Sequence, residues 1–285
     1  MRVAIASGKG GTGKTTVAVN LAWVAGALDQ KVRLLDCDVE APNCHLFLHP
    51  KVSSQQDCKV TVPVIDKMLC DLCGRCAKVC RFRALVSLPG EILLEPTLCH
   101  NCGACKLVCP KLAITVKGRA IGIIEDGLAG TVRFRRGLLA VGEAKSPPLI
   151  KRVKADMPEN ILTIIDCPPG TACPAYEAVK GSDYALLVAE PTSFGLHDLA
   201  MATAMVKAAE VPFGVVVNRH EEDNDLIRNY CNNNTIPLLA EIPDTRAFAE
   251  MISKGWILAQ CRSDIRDLYL ALFKRLRDVC AEAKP

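Results

Sequence analysis

The stretch GKGGTGKT, residues 8–15, decides the fold, because it fits the pattern G-x-x-x-x-G-K-[ST] between a strand and a helix. The apolar run before it predicts a strand at residues 3–7, and the stretch after it predicts a helix at residues 14–28. In such a loop the backbone N–H groups surround phosphate oxygens at the positive end of the helix. The sequence therefore predicts a phosphate-binding loop rather than an ordinary glycine-rich turn.

Two side chains of this loop have predicted roles. Lys14 is expected to reach the β- and γ-phosphates, and the hydroxyl of Thr15 is expected to bind Mg²⁺. The other predicted nucleotide contacts are Gly8, Lys9, Gly10, Gly11, Thr12, Gly13 and Thr16. We therefore expect ATP and Mg²⁺ as cofactors.

Short apolar runs alternate with helical stretches over most of the chain. The predicted strands are residues 3–7, 32–36, 162–166, 184–189, 214–218 and 238–241, and the predicted helices are 14–28, 196–209 and 264–281. Several of the runs are continuously apolar, as expected for parallel strands that are covered on both faces. This alternation predicts an α/β protein with a doubly wound parallel sheet, a P-loop NTPase domain.

Cysteine is the unusual feature of the composition, since the chain has 16 and eight of them lie between Cys70 and Cys109. Residues 70–81 read CDLCGRCAKVCR and residues 99–110 read CHNCGACKLVCP, so that one pattern recurs with an offset of 29 residues. Both copies have the spacing C-x₂-C-x₂-C-x₃-C of bacterial ferredoxins. A repeat this short buries little apolar core, so we expect bound metal to hold it together.

The spacing also predicts which thiolates share a cluster. Three close cysteines surround one [4Fe–4S] cluster, and the fourth ligates the other cluster. The two predicted sets are Cys70, Cys73, Cys76 with Cys109, and Cys99, Cys102, Cys105 with Cys80. Two identical four-cysteine runs fit such clusters better than zinc or disulfides. We place a small α+β ferredoxin-like insertion at residues 60–118, within an ATPase domain formed by residues 1–59 and 119–285.

The extra lysine in KGGTGKTT, residues 9–16, resembles the deviant Walker A motif of the MinD/ParA/Mrp family, which includes the nitrogenase iron protein. The resemblance implies an ATPase that forms a nucleotide-dependent homodimer. It also implies that Lys9 reaches across the dimer to the partner's nucleotide, as an arginine finger does.

Three further stretches resemble the same family. LLDCDVEAPN (34–43) is similar to its switch I, which implies that Asp38 orients the attacking water and that Asp36 lies near the metal. IIDCPPG (164–170) is similar to switch II, which implies that Asp166 holds Mg²⁺ through water and that Gly170 senses the γ-phosphate. VVVNR (215–219) and IPDTRAFAEMISKG (242–255) resemble the adenine side, with Asn218 as a base contact.

The net charge and two stretches of sequence bear on which partners and which location to expect. A net charge of +4 over 285 residues does not indicate nucleic-acid or membrane binding. The opening MRVAIASGKGG runs directly into the first predicted strand, so we expect no signal peptide and a cytoplasmic location. The basic run RFRR (133–136) is a candidate docking site for an acidic redox partner.

Together the motifs predict an ATPase whose nucleotide state gates electron transfer through two [4Fe–4S] clusters to a redox partner. Two alternatives remain open. One is a maturation factor that delivers a metal cofactor or an iron–sulfur cluster to an acceptor protein. The other is a positional switch of the ParA or MinD kind, in which the clusters are structural or sensory.

Overall fold

The computed structural model describes residues 1–28, 30–155, 157–158 and 160–282. The strands in these ranges are β1 (Arg2–Ala6), β2 (Val32–Asp36), β3 (Lys51–Ile65), β4 (Leu85–Leu88), β5 (Glu91–Leu94), β6 (Ile114–Ala129), β7 (Val132–Leu139), β8 (Leu162–Asp166), β9 (Tyr184–Ala189), β10 (Phe213–His220) and β11 (Leu238–Pro243). The helices are α1 (Lys14–Ala27), α2 (His45–Leu48), α3 (Arg75–Val79), α4 (Ala104–Leu107), α5 (Pro147–Val153), α6 (Cys173–Val179), α7 (Ser193–Ala208), α8 (Leu226–Asn233), α9 (Arg246–Ser253), α10 (Leu258–Cys261) and α11 (Ser263–Glu282). None of the helices described is both long and apolar enough to span a bilayer.

The main sheet has the strand order β11-β10-β9-β1-β8-β2-β7-β6-β3. From β11 to β7 all neighbouring strands are parallel, and β6 and β3 then continue the sheet as antiparallel strands. The predicted parallel α/β sheet is therefore confirmed, with an antiparallel edge that the sequence did not predict. Because β1 lies between β8 and β9, the carboxyl ends of the central strands form the crevice where ligands of such sheets bind.

Helices cover both faces of the parallel part of the sheet. On β1, Val3 and Ile5 pack into a core with α1, α9, α10 and α11, whereas Ala4 and Ala6 pack into a second core with α5, α6, α7 and α8. Side chains of a strand alternate between its faces, so a continuously apolar run contributes to both cores at once. This arrangement makes the central strands a rigid support for the loops at their carboxyl ends.

The antiparallel edge is a long two-stranded arm. β3 and β6 pair from Lys51 with Leu128 to Ile65 with Ile114, with two shifts of register along the way, and residues 60 and 118, the predicted limits of the insertion, lie within this ladder. Only the segment of β6 from Gly122 to Ala129 pairs with β7, so the rest of the arm extends beyond the sheet. The first part of β3 is exposed and polar, and therefore lacks the apolar pattern by which strands are recognised.

The cysteine region lies at the end of this arm. It contains α3, α4, a 3₁₀ turn at Pro96–Leu98 and the hairpin of β4 and β5. Left-handed backbone conformations recur in it 29 residues apart, at Leu72 and Asn101, Gly74 and Gly103, and Arg83 and Leu112. Because residues other than glycine rarely have positive φ, this recurrence shows that the sequence repeat is also a structural repeat.

Candidate functional site

The loop of residues 8–13 joins β1 to α1 at the carboxyl edge of the sheet. Gly11 and Gly13 have φ angles of +79° and +93°, which glycine adopts without strain. Gly8 is constrained differently, since a Cβ there would lie 2.1 Å from the carbonyl oxygen of Asp198. At Gly10 the nearest atom to such a Cβ is 3.8 Å away. Thus Gly8 is needed for packing, whereas Gly10 lies beside open space.

That open space is a cavity of about 440 Å³. The loop residues Gly10, Gly11, Gly13, Lys14, Thr15 and Thr16 line it, with Asp38, Pro169 and Asn218, and the remaining lining includes Phe47, Pro243, Asp244, Phe248 and Ile252. Of the predicted loop contacts, Gly8, Lys9 and Thr12 do not line it. The apolar side chains of Phe47, Phe248 and Ile252 suit a planar base, and α9 supplies the last two. The sequence indicated this stretch but not those two residues individually.

Asn218 lies at the side of the phosphate loop. Its Nδ2 donates a hydrogen bond to the carbonyl oxygen of Thr12 at 2.8 Å. A Cβ at Gly13 would lie 2.2 Å from the same nitrogen, so the amide is packed directly against the loop. The contact of Asn218 with the base stays a prediction. Its hydrogen bond to the loop is a further contact, which the sequence did not predict.

The ends of β2 and β8 meet beside the loop. Asp36 and Asp166 are register partners on these strands. The hydroxyl of Thr15 donates a hydrogen bond to Asp166 Oδ2 at 2.7 Å. Asp36 Oδ2 accepts hydrogen bonds from the backbone amides of Asn43 and Cys44, both at 3.0 Å. Asp36 therefore holds the turn that follows Asp38, while Asp166 faces Thr15.

Both carboxyl groups have raised pKa values. Burial, followed by the charge of Asp166, raises the pKa of Asp36 to about 8. Burial also raises the pKa of Asp166 to about 6, against the hydrogen bonds from Thr15 and Cys44. Burial raises the pKa of Asp38 too, and the ammonium of Lys14 opposes that shift. Three carboxyl groups thus lie close together, with the ammonium of Lys14 near Asp38 and Asp166.

A cation fits this cluster. One ligand atom each of Asp36, Cys44 and Asp166 lies within 4.8 Å of the other two, and all three residues are buried. Asp166 Oδ1 is buried and has no hydrogen-bond partner among the residues that the structure describes. Carboxylate and hydroxyl oxygens suit Mg²⁺. Cys44, whose thiol donates to Asp166 Oδ2 at 3.2 Å, was missed by the sequence analysis. Its only signal was its place directly after the stretch similar to switch I.

Two residues with predicted phosphate roles lie away from the cavity. The ammonium of Lys9 is 2.9 Å from Glu190 Oε2 in the same chain. Gly170 has a φ of +84°, and a Cβ there would lie 4.0 Å from the carbonyl oxygen of Gly8. The stretch similar to switch II therefore faces the first residue of the phosphate loop.

The second candidate site is the cysteine region. One cavity in it is lined by Cys80, Cys99, Cys102 and Cys105, the four thiols that the spacing assigns to one cluster. In the other set, burial and then the neighbouring thiols Cys70 and Cys73 raise the pKa of Cys76. Cys76 and Cys109 belong to the same small core as Leu85 and Ile114, and Cys80 and Cys105, which line the cavity, pack against this core too. The chain thus brings together distant members of both predicted sets.

The separation of these sulfurs bears on the kind of metal. Among the described residues, the set Asp36, Cys44 and Asp166 is the one whose ligand atoms lie within 4.8 Å, and no set from the cysteine region does so. Four thiolates on one zinc ion, with Zn–S bonds of about 2.3 Å, would be roughly 3.8 Å apart. The described cysteines thus form no group as close as the ligands of a single zinc ion, and the donor set of two four-cysteine runs fits [4Fe–4S] clusters.

Comparison with known proteins decides the family. Residues 3–257 match the CobQ/CobB/MinD/ParA nucleotide binding domain. The chain belongs to this family. The resemblance inferred from KGGTGKTT to the MinD/ParA/Mrp P-loop ATPases is thus confirmed, and ATP with Mg²⁺ follows as the nucleotide of a MinD/ParA-type ATPase.

Relatives of this MinD/ParA ATPase include an uncharacterized protein of Methanocaldococcus jannaschii, which is 31% identical over 285 residues, 98% of this chain and 97% of that protein. An iron-sulfur cluster carrier protein of Pyrococcus abyssi is 28% identical over 243 residues, 81% of this chain but 64% of the carrier. Among solved structures, the septum site-determining protein MinD of Pyrococcus horikoshii, complexed with Mg-ADP, has a TM-score of 0.60 at 20% identity. That comparison covers 99% of this chain and 98% of MinD, and it shows the fold alone.

The structure gives two arginines of the RFRR run another role in this ATPase. In the run RFRR, Arg135 pairs with Asp126 and Arg136 pairs with Glu125, each at 2.7 Å. These ion pairs join β7 to β6 within the sheet. The two arginines therefore stabilise the base of the arm and are not available as a docking site for an acidic partner.

Proposed function

We propose that this chain is an ATPase in which the nucleotide state controls electron transfer through two [4Fe–4S] clusters. One observation carries the proposal. The backbone amide of Leu139, at the end of β7, donates a hydrogen bond at 2.9 Å to the carbonyl oxygen of Val39, the residue after Asp38. β7 also pairs with β6, whose far end leads into the cysteine region. The nucleotide cavity and the cysteines are therefore joined by continuous backbone pairing.

In this proposal the nucleotide site works by positioning. Lys14 binds the β- and γ-phosphates, and Thr15 holds Mg²⁺ together with Asp166 and Asp36. Asp38, which lines the cavity, orients the attacking water. Gly170 responds to the γ-phosphate. A second copy of the chain supplies its Lys9 in an ATP-dependent homodimer.

The cysteine region holds the redox groups in this proposal. Cys70, Cys73, Cys76 and Cys109 bind one cluster, and Cys80, Cys99, Cys102 and Cys105 bind the other. When bound, each cluster supplies one-electron transfer at a potential set by charge, hydrogen bonds and solvent exposure. Cys73 and Cys102 are exposed, which gives a partner protein short access to both sets. The region that moves electrons is thus at the tip of the arm, and the region that binds ATP is at its base.

A second candidate function is delivery of an iron–sulfur cluster to an acceptor protein. The similarity to the Pyrococcus abyssi protein named as an iron-sulfur cluster carrier favours it. Delivery requires clusters that leave the protein, whereas electron transfer requires clusters that stay. Two complete four-cysteine sets at the end of the arm favour retained clusters, because each cluster then has all four of its ligands from this chain.

The test is a redox titration of the anaerobically purified protein, monitored by EPR, with and without Mg-ATP. We expect ATP to change at least one reduction potential, because a ligand that alters the surroundings of a redox centre binds its two states differently. A change of about 59 mV corresponds to a tenfold difference in ATP affinity between the two states. Superimposable titrations together with iron transfer to an apo-acceptor would favour delivery. ATP hydrolysis by a Lys14→Ala variant would contradict both functions.

A further inference from the structure

Residues 140–146 form a loop between β7 and α5 that contacts the cysteine region and the stretch similar to switch I; we call it the coupling loop. At its start, the amide of Ala140 donates a hydrogen bond to the carbonyl oxygen of Ile121 on β6 at 2.9 Å. At its end, the hydroxyl of Ser146 donates to Glu40 Oε1 at 2.9 Å. Glu40 lies two residues after Asp38, which lines the nucleotide cavity. The loop is therefore connected to the arm and to the stretch similar to switch I.

The same loop reaches the cysteine region through Lys145. Its ammonium donates a hydrogen bond at 2.5 Å to the backbone carbonyl oxygen of Cys99, which is 46 residues away in the sequence. Cys99 is the first cysteine of the second repeat. This hydrogen bond therefore places a positive charge at the backbone of a predicted cluster ligand.

A buried ion pair fixes the loop to the arm. Arg119 on β6 lies 2.6 Å from Glu143 Oε2, and the Glu143 side chain is only 2% exposed. The joint is nevertheless loosely packed. A cavity of 150 Å³ lies among Cys99, Arg119, Glu143 and Lys145. Within the described part of the chain, Arg119 Nε and Nη2 are buried without a hydrogen-bond partner. Space and unused donors are thus present where the loop would have to move.

We propose that Lys145 is a positioning residue that transmits the state of the nucleotide site to the cluster ligated by Cys80, Cys99, Cys102 and Cys105. A positive charge beside a cluster ligand stabilises the reduced, more negative cluster and raises its reduction potential. When the stretch around Glu40 moves with the γ-phosphate, Ser146 carries Lys145 with it and the charge at Cys99 changes. The inference rests on the proposed function, because it names the residue through which ATP acts on the clusters.

The experiment compares four variants with the wild-type protein by EPR-monitored redox titration, with and without Mg-ATP. Lys145→Met removes the charge and keeps the length of the side chain, and Lys145→Arg keeps the charge. Lys117→Met is the matched control, because Lys117 is an exposed lysine on β6 outside the coupling loop. Ser146→Ala breaks the contact with Glu40 and leaves Lys145 in place; Ser146 makes no side-chain cap of α5 that the change would remove.

We expect Lys145→Met to lower the potential of one cluster and to abolish its response to ATP, while Lys145→Arg and Lys117→Met keep that response. Ser146→Ala should keep the potential measured without ATP and lose most of the response. By reciprocity, the ratio of ATP affinities for the oxidised and reduced protein should fall to about one in Lys145→Met. The iron content of each variant shows that both clusters are present before the potentials are compared.

Two results would overturn the inference, and they differ in what else they affect. A wild-type response to ATP that persists in Lys145→Met would contradict the role of Lys145 and leave the proposed function intact. A wild-type protein whose potentials ignore ATP would contradict the proposed function and the inference together.

Discussion

The ammonium of Lys9 lies 2.9 Å from the carboxylate of Glu190 in the same chain. The other oxygen of that carboxylate is 2.5 Å from Arg219 Nη1. The Lys9 side chain is 34% exposed and that of Glu190 is 11% exposed, and Asp198 Oδ2 lies 3.9 Å from the same ammonium. Because the ammonium itself reaches solvent, its ion pair contributes little, about 0–1 kcal/mol. The intrachain partner therefore holds Lys9 in the monomer without preventing it from binding elsewhere.

This relationship predicts the behaviour of Glu190→Gln. If Lys9 crosses to the nucleotide of a second chain, it must first leave Glu190, and removing that negative charge makes the exchange easier. We expect ATP-dependent dimerisation to become about two- to fivefold tighter, which corresponds to an exposed ion pair of less than about 1 kcal/mol. Analytical sedimentation in the presence of non-hydrolysable ATP measures the dissociation constant of the dimer. The matched variant Lys9→Ala should lose the ATP-dependent dimer, and a dimer of undiminished affinity would show that Lys9 does not act in trans.

Replacing two glycines of the phosphate loop by alanine should affect different properties of the protein. In Gly8→Ala the new Cβ meets the backbone of Asp198, so we expect a loss of about 1–3 kcal/mol in the free energy of unfolding, even without nucleotide. In Gly10→Ala the Cβ has room in the empty cavity, and the loss appears in ATP binding instead. Thermal unfolding and fluorescent-nucleotide binding of both variants separate the two effects. Equal unfolding temperatures would contradict the packing role of Gly8.

The raised pKa values of Asp36 and Asp166 predict a pH dependence. Both folded-state values, about 8 and about 6, exceed the ordinary carboxyl value of about 3.9. The folded protein therefore holds these protons at a pH where the unfolded chain has released them. Their contribution to stability is complete below about pH 3.9 and is lost as the pH rises through 6 and then 8. Without a metal ion, these two groups make the protein less stable at pH 8 than at pH 5.

Metal binding should show the opposite trend. Mg²⁺ requires charged carboxylates, so its binding releases protons and strengthens as the pH rises from 5 to 8. We expect the effect of Mg²⁺ on ATP affinity to increase about tenfold over that range. In Asp36→Asn the increase should be smaller, because a titrating group is gone. Calorimetry in buffers of different ionisation enthalpy counts the protons released, and a pH-independent effect of Mg²⁺ would contradict the arrangement.

The predicted clusters can be tested by removing one ligand. Cys102→Ser takes an exposed thiol from the second set, and Cys173→Ser takes an exposed thiol from outside both sets. Two [4Fe–4S] clusters amount to about eight iron atoms per chain, and the loss of one leaves about four. We expect Cys102→Ser to bind about half of the wild-type iron and Cys173→Ser to bind all of it. Iron analysis of the anaerobically purified variants measures these contents, and equal values for the two variants would contradict the role of Cys102 as a ligand.

The sequence by itself determined the parts of this protein that depend on neighbouring residues. The predicted limits of β2, β8 and β9 agree with the structure, because continuously apolar runs indicate parallel strands covered on both faces. The phosphate loop and the cysteine repeat could also be predicted, because each depends on residues that are close together in the sequence. A glycine with positive φ or a thiolate at a set spacing is a local requirement, and a short stretch of sequence contains it completely.

The tertiary structure alone decided which distant residues meet. Thr15 binds Asp166 across 151 residues, and Lys145 binds Cys99 across 46. The exposed, polar part of β3 became a strand only because β6 pairs with it. The RFRR run lies in the sheet because β7 pairs with β2 and β6, and this pairing brings two carboxylates of β6 to Arg135 and Arg136. None of these contacts has a periodic pattern. Each follows from the order of strands in the sheet, since pairing between strands places residues side by side regardless of their separation along the chain.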